Sequence, residues 1–257
     1  MDTIFLNTPG HDGSTCGQVF FGSVSRMFNF HPMPSKASSN VVKAYQDFMR
    51  DEGVPECLHR DLAPEEKTSK ITDINRDMMV RDSWAEAGHP NQNPVEAMGV
   101  RPLKTGVKAL SNRTGTPNKF WPFAFECVAD IDNICATPFL NWNDPHNVRH
   151  GWCRDMSPFL LHEFGENCHA KKEESSPGTQ EVPVKWHGVD DHVGDLLTFK
   201  CWNLDTGEPV SCSTIRSAKK TQGAIVNDRV DFGEEESADE EALFDDVPSD
   251  ADDHALW

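Results

Sequence analysis

SSNVVKAYQDFMRDEGVPECLHRDLAPEE, residues 38 to 66, sets the architecture. Val41, Val42, Tyr45, Phe48 and Met49 recur at helical spacing behind a cap at Ser38 or Ser39, and Gly53-Val54-Pro55 stops that helix. Residues 56 to 60, ECLHR, then read as a short strand ending at Asp61. Pro64-Glu65-Glu66 opens a second helix, because proline tolerates a first turn and acids favour the amino end. Ile71, Ile74, Met78 and Met79 supply its apolar face. A strand between two amphipathic helices is the unit of an α/β domain.

The flanking sequence extends the pattern in both directions. Upstream, residues 3 to 7, 15 to 23 and 25 to 32 read as three strands separated by Gly, Pro and Asn turns, with Phe28 and Phe30 on one side and Asn29 on the other. Downstream come a strand at 80 to 86, a turn at Gly88-His89-Pro90-Asn91, and a helix from Asn93 to Leu110 carrying Leu103, Val107 and Leu110. Pro102 removes an amide donor inside that helix and is expected to kink or damage it. Phe120 to Thr137 is the clearest helix, with Phe120, Ala124, Cys127, Val128, Ile131, Ile134 and Cys135 at intervals of three and four. Cys127 and Cys135 are expected there as buried packing thiols. Residues 141 to 176 are loop-like, and 182 to 215 return to short strands with turns at Asp190-Asp191 and Asp205-Thr206-Gly207, as in a small barrel.

Charge is distributed unevenly. Residues 228 to 257 hold thirteen Asp and Glu against one Arg, a net charge of -12 out of -18 for the 257-residue chain; residues 1 to 227 carry only -6. An acidic surface repels nucleic acid, so the tail reads as a solvated, disordered segment or as one that masks a basic groove. Eight cysteines are widely spaced without a CxxC pair; His162 and Cys168-His169 lack the second spaced pair that a zinc site usually shows. No stretch of about 18 apolar residues occurs, and the amino terminus lacks the basic and hydrophobic regions of a signal peptide. A reduced, non-secreted protein without a membrane partner is expected.

Three carboxylates carry the chemistry that spacing suggests: Asp2 heading the first strand, Asp61 at the exit of the fourth, and Glu96 opening a helix. Hard divalent cations take carboxylate oxygens, and two of them roughly 4 Å apart can serve both oxygens of a phosphoryl transfer. The same residues have simple structural roles: Asp61 can cap a turn, and Asn93-Pro94-Val95-Glu96 matches a capping box. Composition and spacing leave both open.

The motifs themselves add a family. LHRDLAPEE at 58 to 66 and HPNQNPVEAMGVRPLK at 89 to 104 resemble the second and third acidic motifs of copia-type retrotransposon integrases, above all those of algal and diatom elements. DTIF with TCGQVFFG resembles the strand of the first acid, and LNWNDPHNVRHGWCRDMSPF at 140 to 159 the region that closes the core. Residues 186 to 220 resemble the small β-domain that follows. The resemblance implies a ribonuclease H-like core at 1 to 139, cut at its first strand: an α/β fold with a mixed five-stranded sheet flanked by helices. A connector at 140 to 181, a small β-rich domain at 182 to 220 and an acidic disordered tail at 221 to 257 follow. It implies Asp2, Asp61 and Glu96 as catalytic residues and as ligands of two magnesium or manganese ions, processing 3′ ends and transferring strands of double-stranded DNA. Gln92 and Asn93 would shape the turn and touch DNA; Lys104 and Lys108 would meet phosphates, against the simpler role of solvated lysines. A homo-oligomer acting in the nucleus, the cytoplasm or a virus-like particle is implied. Ala97, Met98 and Leu62 depart from the family pattern, and an inactive remnant that binds nucleic acid or protein is the alternative.

Overall fold

A computed structural model of the protein describes residues 1–61, 66, 68–86, 93–172, 180–194 and 197–218. Strands β1 (Asp2–Phe5), β2 (Cys16–Phe21) and β3 (Phe28–Met33) form the expected antiparallel meander, with Asp2 opposite Val19 and Val19 opposite Phe30. Strand alternation sorts their side chains: Ile4, Val19, Phe28 and Phe30 enter one core, whereas Cys16, Phe20 and Met33 enter another. Helix α1 (Ser38–Glu52) covers the second face with Val41, Val42, Ala44 and Tyr45, and ends at Gly53, whose φ of 85° suits glycine.

Strands β4 (Cys57–Arg60) and β5 (Arg81–Trp84) pair in parallel through helix α2 (Ser69–Asp77). The Met1 nitrogen donates to the His59 carbonyl at 2.7 Å, which joins this pair to the meander. Three antiparallel strands and a parallel pair, joined at Met1 rather than by a continuous ladder and flanked by helices, make an α/β arrangement consistent with the ribonuclease H-like mixed sheet expected from the motifs. Met78 and Met79 do not extend the apolar face of α2. They are 53% and 91% exposed in the turn that follows it, with Met79 at φ 59°. Only three residues separate α2 from β5, so the chain reverses there, Val80 N bonds Asn75 O at 2.7 Å, and Val80 is the residue buried.

Pro102 is accommodated rather than disruptive. Glu96–Val100 form a wide π turn, in which the Arg101 N–H reaches Glu96 O, and this passes into α3 (Arg101–Thr114) with Pro102 in its first turn. The run is helical from residue 94 onward, and the wide π turn immediately before Pro102 is where the helix absorbs the missing donor. Helix α4 (Trp121–Ile134) lies beside α3, and their Leu103, Val107, Ala124, Phe125 and Val128 complete the first core. Cys127 is buried as expected, but Cys135 follows the last turn and is exposed. The buried Asn133 accepts from Phe28 N at 2.7 Å and donates to Phe28 O at 2.8 Å, tying α4 to β3. Asn133→Ala strands both backbone groups and is expected to cost about 2–4 kcal/mol in urea unfolding; a loss below about 0.5 kcal/mol would contradict these bonds.

The loop-like stretch contains more structure than its composition suggests: α5 (Pro145–His150), α6 (Ser157–Leu161) and β6 (Asn167–Lys172). Helices of six and five residues are too short to show a period, and α5 depends on a local cap, Asp144 accepting from Asn147 N at 2.7 Å. Strands β7 (Gln180–Val189), β8 (Phe199–Asn203), β9 (Pro209–Cys212) and β10 (Ile215–Ser217) complete an antiparallel sheet in the order β10-β6-β7-β8-β9. A bulge between Trp186 and Gly188 turns His187 onto Phe120 and Phe123 of the α4 region at 4.9 and 5.1 Å, and burial pushes its pKa down to about 3. Residues Met1–Gln222 form one compact unit, and the acidic tail lies outside the described residues.

Candidate active site

The three acids belong to separate elements, and one residue ties those elements together. Met1 donates through its nitrogen to His59 O, two residues before Asp61, and accepts through its carbonyl from Asn93 Nδ2 at 3.4 Å, three residues before Glu96. Asn93 is buried, and its Oδ1 also accepts from Val95 N at 3.2 Å, so it shapes the start of the Glu96 helix from inside. Glu96 opens the wide turn and is exposed, while Asp2 and Asp61 are half-buried. The Thr3 N–H at 2.7 Å orients the Asp2 carboxyl.

Asp2 feels the charges of both other acids. Burial raises the Asp2 pKa to about 6; the Thr3 N–H opposes this, while the negative charges of Glu96 and then Asp61 add to it. Folded Asp2 therefore keeps its proton to about pH 6, whereas an unfolded aspartate releases it near 3.8, so stability falls as pH rises through that window. Asp2→Asn keeps the Thr3 bond and removes the charge. It is expected to stabilise the protein by about 1–3 kcal/mol at pH 7.5 relative to wild type, with the gain gone by about pH 3.5. Thermal melts at the two pH values check this, and an unchanged difference between them would contradict the raised pKa of Asp2.

Behind the acids lies a residue that the sequence did not single out. Glu66 is 1% exposed; its Oε2 accepts from Asp61 N at 3.2 Å and its Oε1 from Gln18 Nε2 at 3.2 Å. Burial raises its pKa to about 7. In the sequence it is the second of two helix-opening glutamates, with nothing to separate it from Glu65. Arg60, fully buried, holds the same corner: it donates to Glu66 O at 2.5 Å, pairs with Asp82 through both arms, and lies 3.9 Å over Trp84.

Two solved structures are similar in part. One is the catalytic core domain of BIV integrase, 17% identical, with a TM-score of 0.45, over 58% of this chain and 90% of that one. The other is the HTLV-2 integrase catalytic core domain in complex with magnesium, 10% identical, with a TM-score of 0.44, over 52% of this chain and 84% of that one. No family model and no curated protein matches the chain.

The remaining candidates are placed as follows. Gln92 lies outside the described residues, and Lys104 and Lys108 are exposed one turn apart on α3. Among the described residues, Asp2, Asp61 and Glu96 do not draw their ligand oxygens within 4.8 Å of one another, whereas His162, Glu166 and Cys168 do bring theirs within that distance and can chelate a metal ion. The spacing of His162 and Cys168-His169 gives a metal site only weakly, for want of a second spaced pair, and nothing in the sequence sets Glu166 apart from its neighbours. Strand alternation sends His169 to the face of β6 opposite Cys168.

Proposed function

We propose that the chain is the core of a copia-type polynucleotidyl transferase, which trims and joins double-stranded DNA at Asp2, Asp61 and Glu96. The observation that carries this reading is the double clamp on Met1, because it brings the strand of the first acid against both elements that present the others. The chemistry of the donor set suits two magnesium or manganese ions: all three groups offer carboxylate oxygens, and a divalent cation would offset both the burial that raises Asp2 and the smaller repulsion from Glu96 and Asp61. Bound there, such ions would supply Lewis acidity to the attacking and leaving oxygens.

The chain's own residues supply position. Glu66 holds the Asp61 backbone, Asn93 sets the start of the Glu96 helix, and Thr3 orients Asp2. The exposed Lys104 and Lys108 are proposed to neutralise phosphates of the duplex, and a homo-oligomer would present two DNA ends together.

Asp2, Asp61 and Glu96 do not all bring a ligand oxygen within 4.8 Å of one another, which favours a second reading, a folded but inactive core that binds nucleic acid or protein. The full chain, incubated with end-labelled duplex DNA and Mg2+ or Mn2+, separates the two. Nicked or joined products that disappear with chelator support the transferase, whereas metal-independent binding without products supports the inactive core.

A further inference from the structure

We propose that His162, Glu166 and Cys168 form a binding site for a borderline-soft divalent cation of the zinc class, distinct in place and chemistry from the carboxylate site. His162 Nδ1 lies 3.6 Å from Glu166 Oε2 and 3.9 Å from Cys168 Sγ, and all three ligand atoms fall within 4.8 Å of one another. Zinc at its usual bond lengths and tetrahedral angles spaces such nitrogen, oxygen and sulfur ligands about 3.4–3.6 Å apart. The triad is therefore open by only a few tenths of an ångström along its two measured edges. Imidazole and thiolate are poor magnesium ligands, so this site and the three acids select different metals.

The triad is built into the fold. Gly165, at φ 74°, turns the chain between His162 and Glu166, and the turn is held on both sides by Gly165 N to Trp186 O at 2.8 Å and Trp186 N to Glu166 O at 3.0 Å. Glu166 is held further by Glu163 N at 3.1 Å and by the Ser217 hydroxyl, and Ser217 stands opposite Cys168 in the ladder of β10 and β6. Hydrogen bonds of this kind orient metal ligands. The side chains of His162 and Glu166 are 10% and 6% exposed, and Cys168 is 1% exposed. His162 also lines a cavity of about 130 Å³ shared with Leu110, Cys127, Phe159 and Trp186, so open space reaches the imidazole side of the triad. A carboxylate and a thiol packed together at this depth gain most from a cation, because each then carries its charge against an opposite one.

Cobalt(II) added to the metal-free full chain tests the proposal. One equivalent is expected to give a thiolate-to-cobalt charge-transfer band with intensified four-coordinate d–d bands, displaced by zinc but not by magnesium. The acidic tail has no sulfur and produces no such band. Cys168→Ser is expected to abolish it, and His162→Gln to weaken cobalt binding at least tenfold. Absence of the band in the wild type overturns the proposal. So does its persistence in Cys168→Ser with loss in Cys201→Ser or Cys212→Ser, which would place the metal on the thiols of β8 and β9. Should a variant misfold, X-ray absorption of the zinc-loaded wild type decides: a single sulfur with nitrogen and oxygen neighbours is expected, and a shell without sulfur or with several overturns it.

Discussion

Asp61→Asn and Glu96→Gln, introduced separately, are each expected to lower metal-dependent cleavage and joining of duplex DNA by at least about a hundredfold. Both substitutions keep size and hydrogen-bonding capacity while removing the charge, so circular dichroism and unfolding midpoints should stay close to wild type. Glu96 is exposed at the mouth of the wide turn, and its replacement disturbs no buried partner. The Asp61 backbone is held by Glu66 independently of the Asp61 side chain. Initial rates on labelled duplex, at saturating Mg2+ and again at saturating Mn2+, provide the measurement. If both variants retain wild-type rates, the acids at 61 and 96 have no part in the reaction, and the inactive-core reading gains.

Asp82→Ala is expected to destabilise the fold by about 3–5 kcal/mol, because it leaves the fully buried Arg60 guanidinium without its carboxylate. Arg60 Nε donates to Asp82 Oδ1 at 3.0 Å and a second nitrogen to Oδ2, so the pair is a fork that neither lysine nor water reproduces. Thr72 Oγ1 at 3.2 Å and Glu66 O take two more of the five guanidinium donors. The double variant Arg60→Met with Asp82→Leu removes both charges and should recover much of the loss, since an apolar pair of similar size avoids desolvation. Guanidinium chloride unfolding of the three proteins gives the comparison. A loss below about 1 kcal/mol in Asp82→Ala would show that the charge finds water, and that this corner is not the anchor of β4.

Where the amino-acid pattern and the structure part, the cause is short-range. Met78 and Met79 have helical spacing behind Ile71 and Ile74, yet the reversal into β5 leaves them in solvent. Helices α5 and α6 escape notice because one turn of side chains has no period to read, and Cys135 sits one residue past the end of its helix. Pro102 illustrates the opposite case: the residue expected to kink or damage a helix follows a wide π turn that lets the helical run continue through it.

Along the chain alone, the meander, α1, β4 and the clear helix at Trp121–Ile134 are legible, because alternation and 3.6-residue spacing are local consequences of which side chains must leave water. The acids at 2, 61 and 96 are nameable there as well, from motif and element ends. Their mutual field, the support from Glu66 and the Arg60–Asp82 fork are decided only in three dimensions, as is the gathering of His162 and Cys168 around Glu166. Each depends on hydrogen bonds, charge pairs and burial between residues brought together by packing, and no one-dimensional spacing encodes how far apart two such groups come to rest.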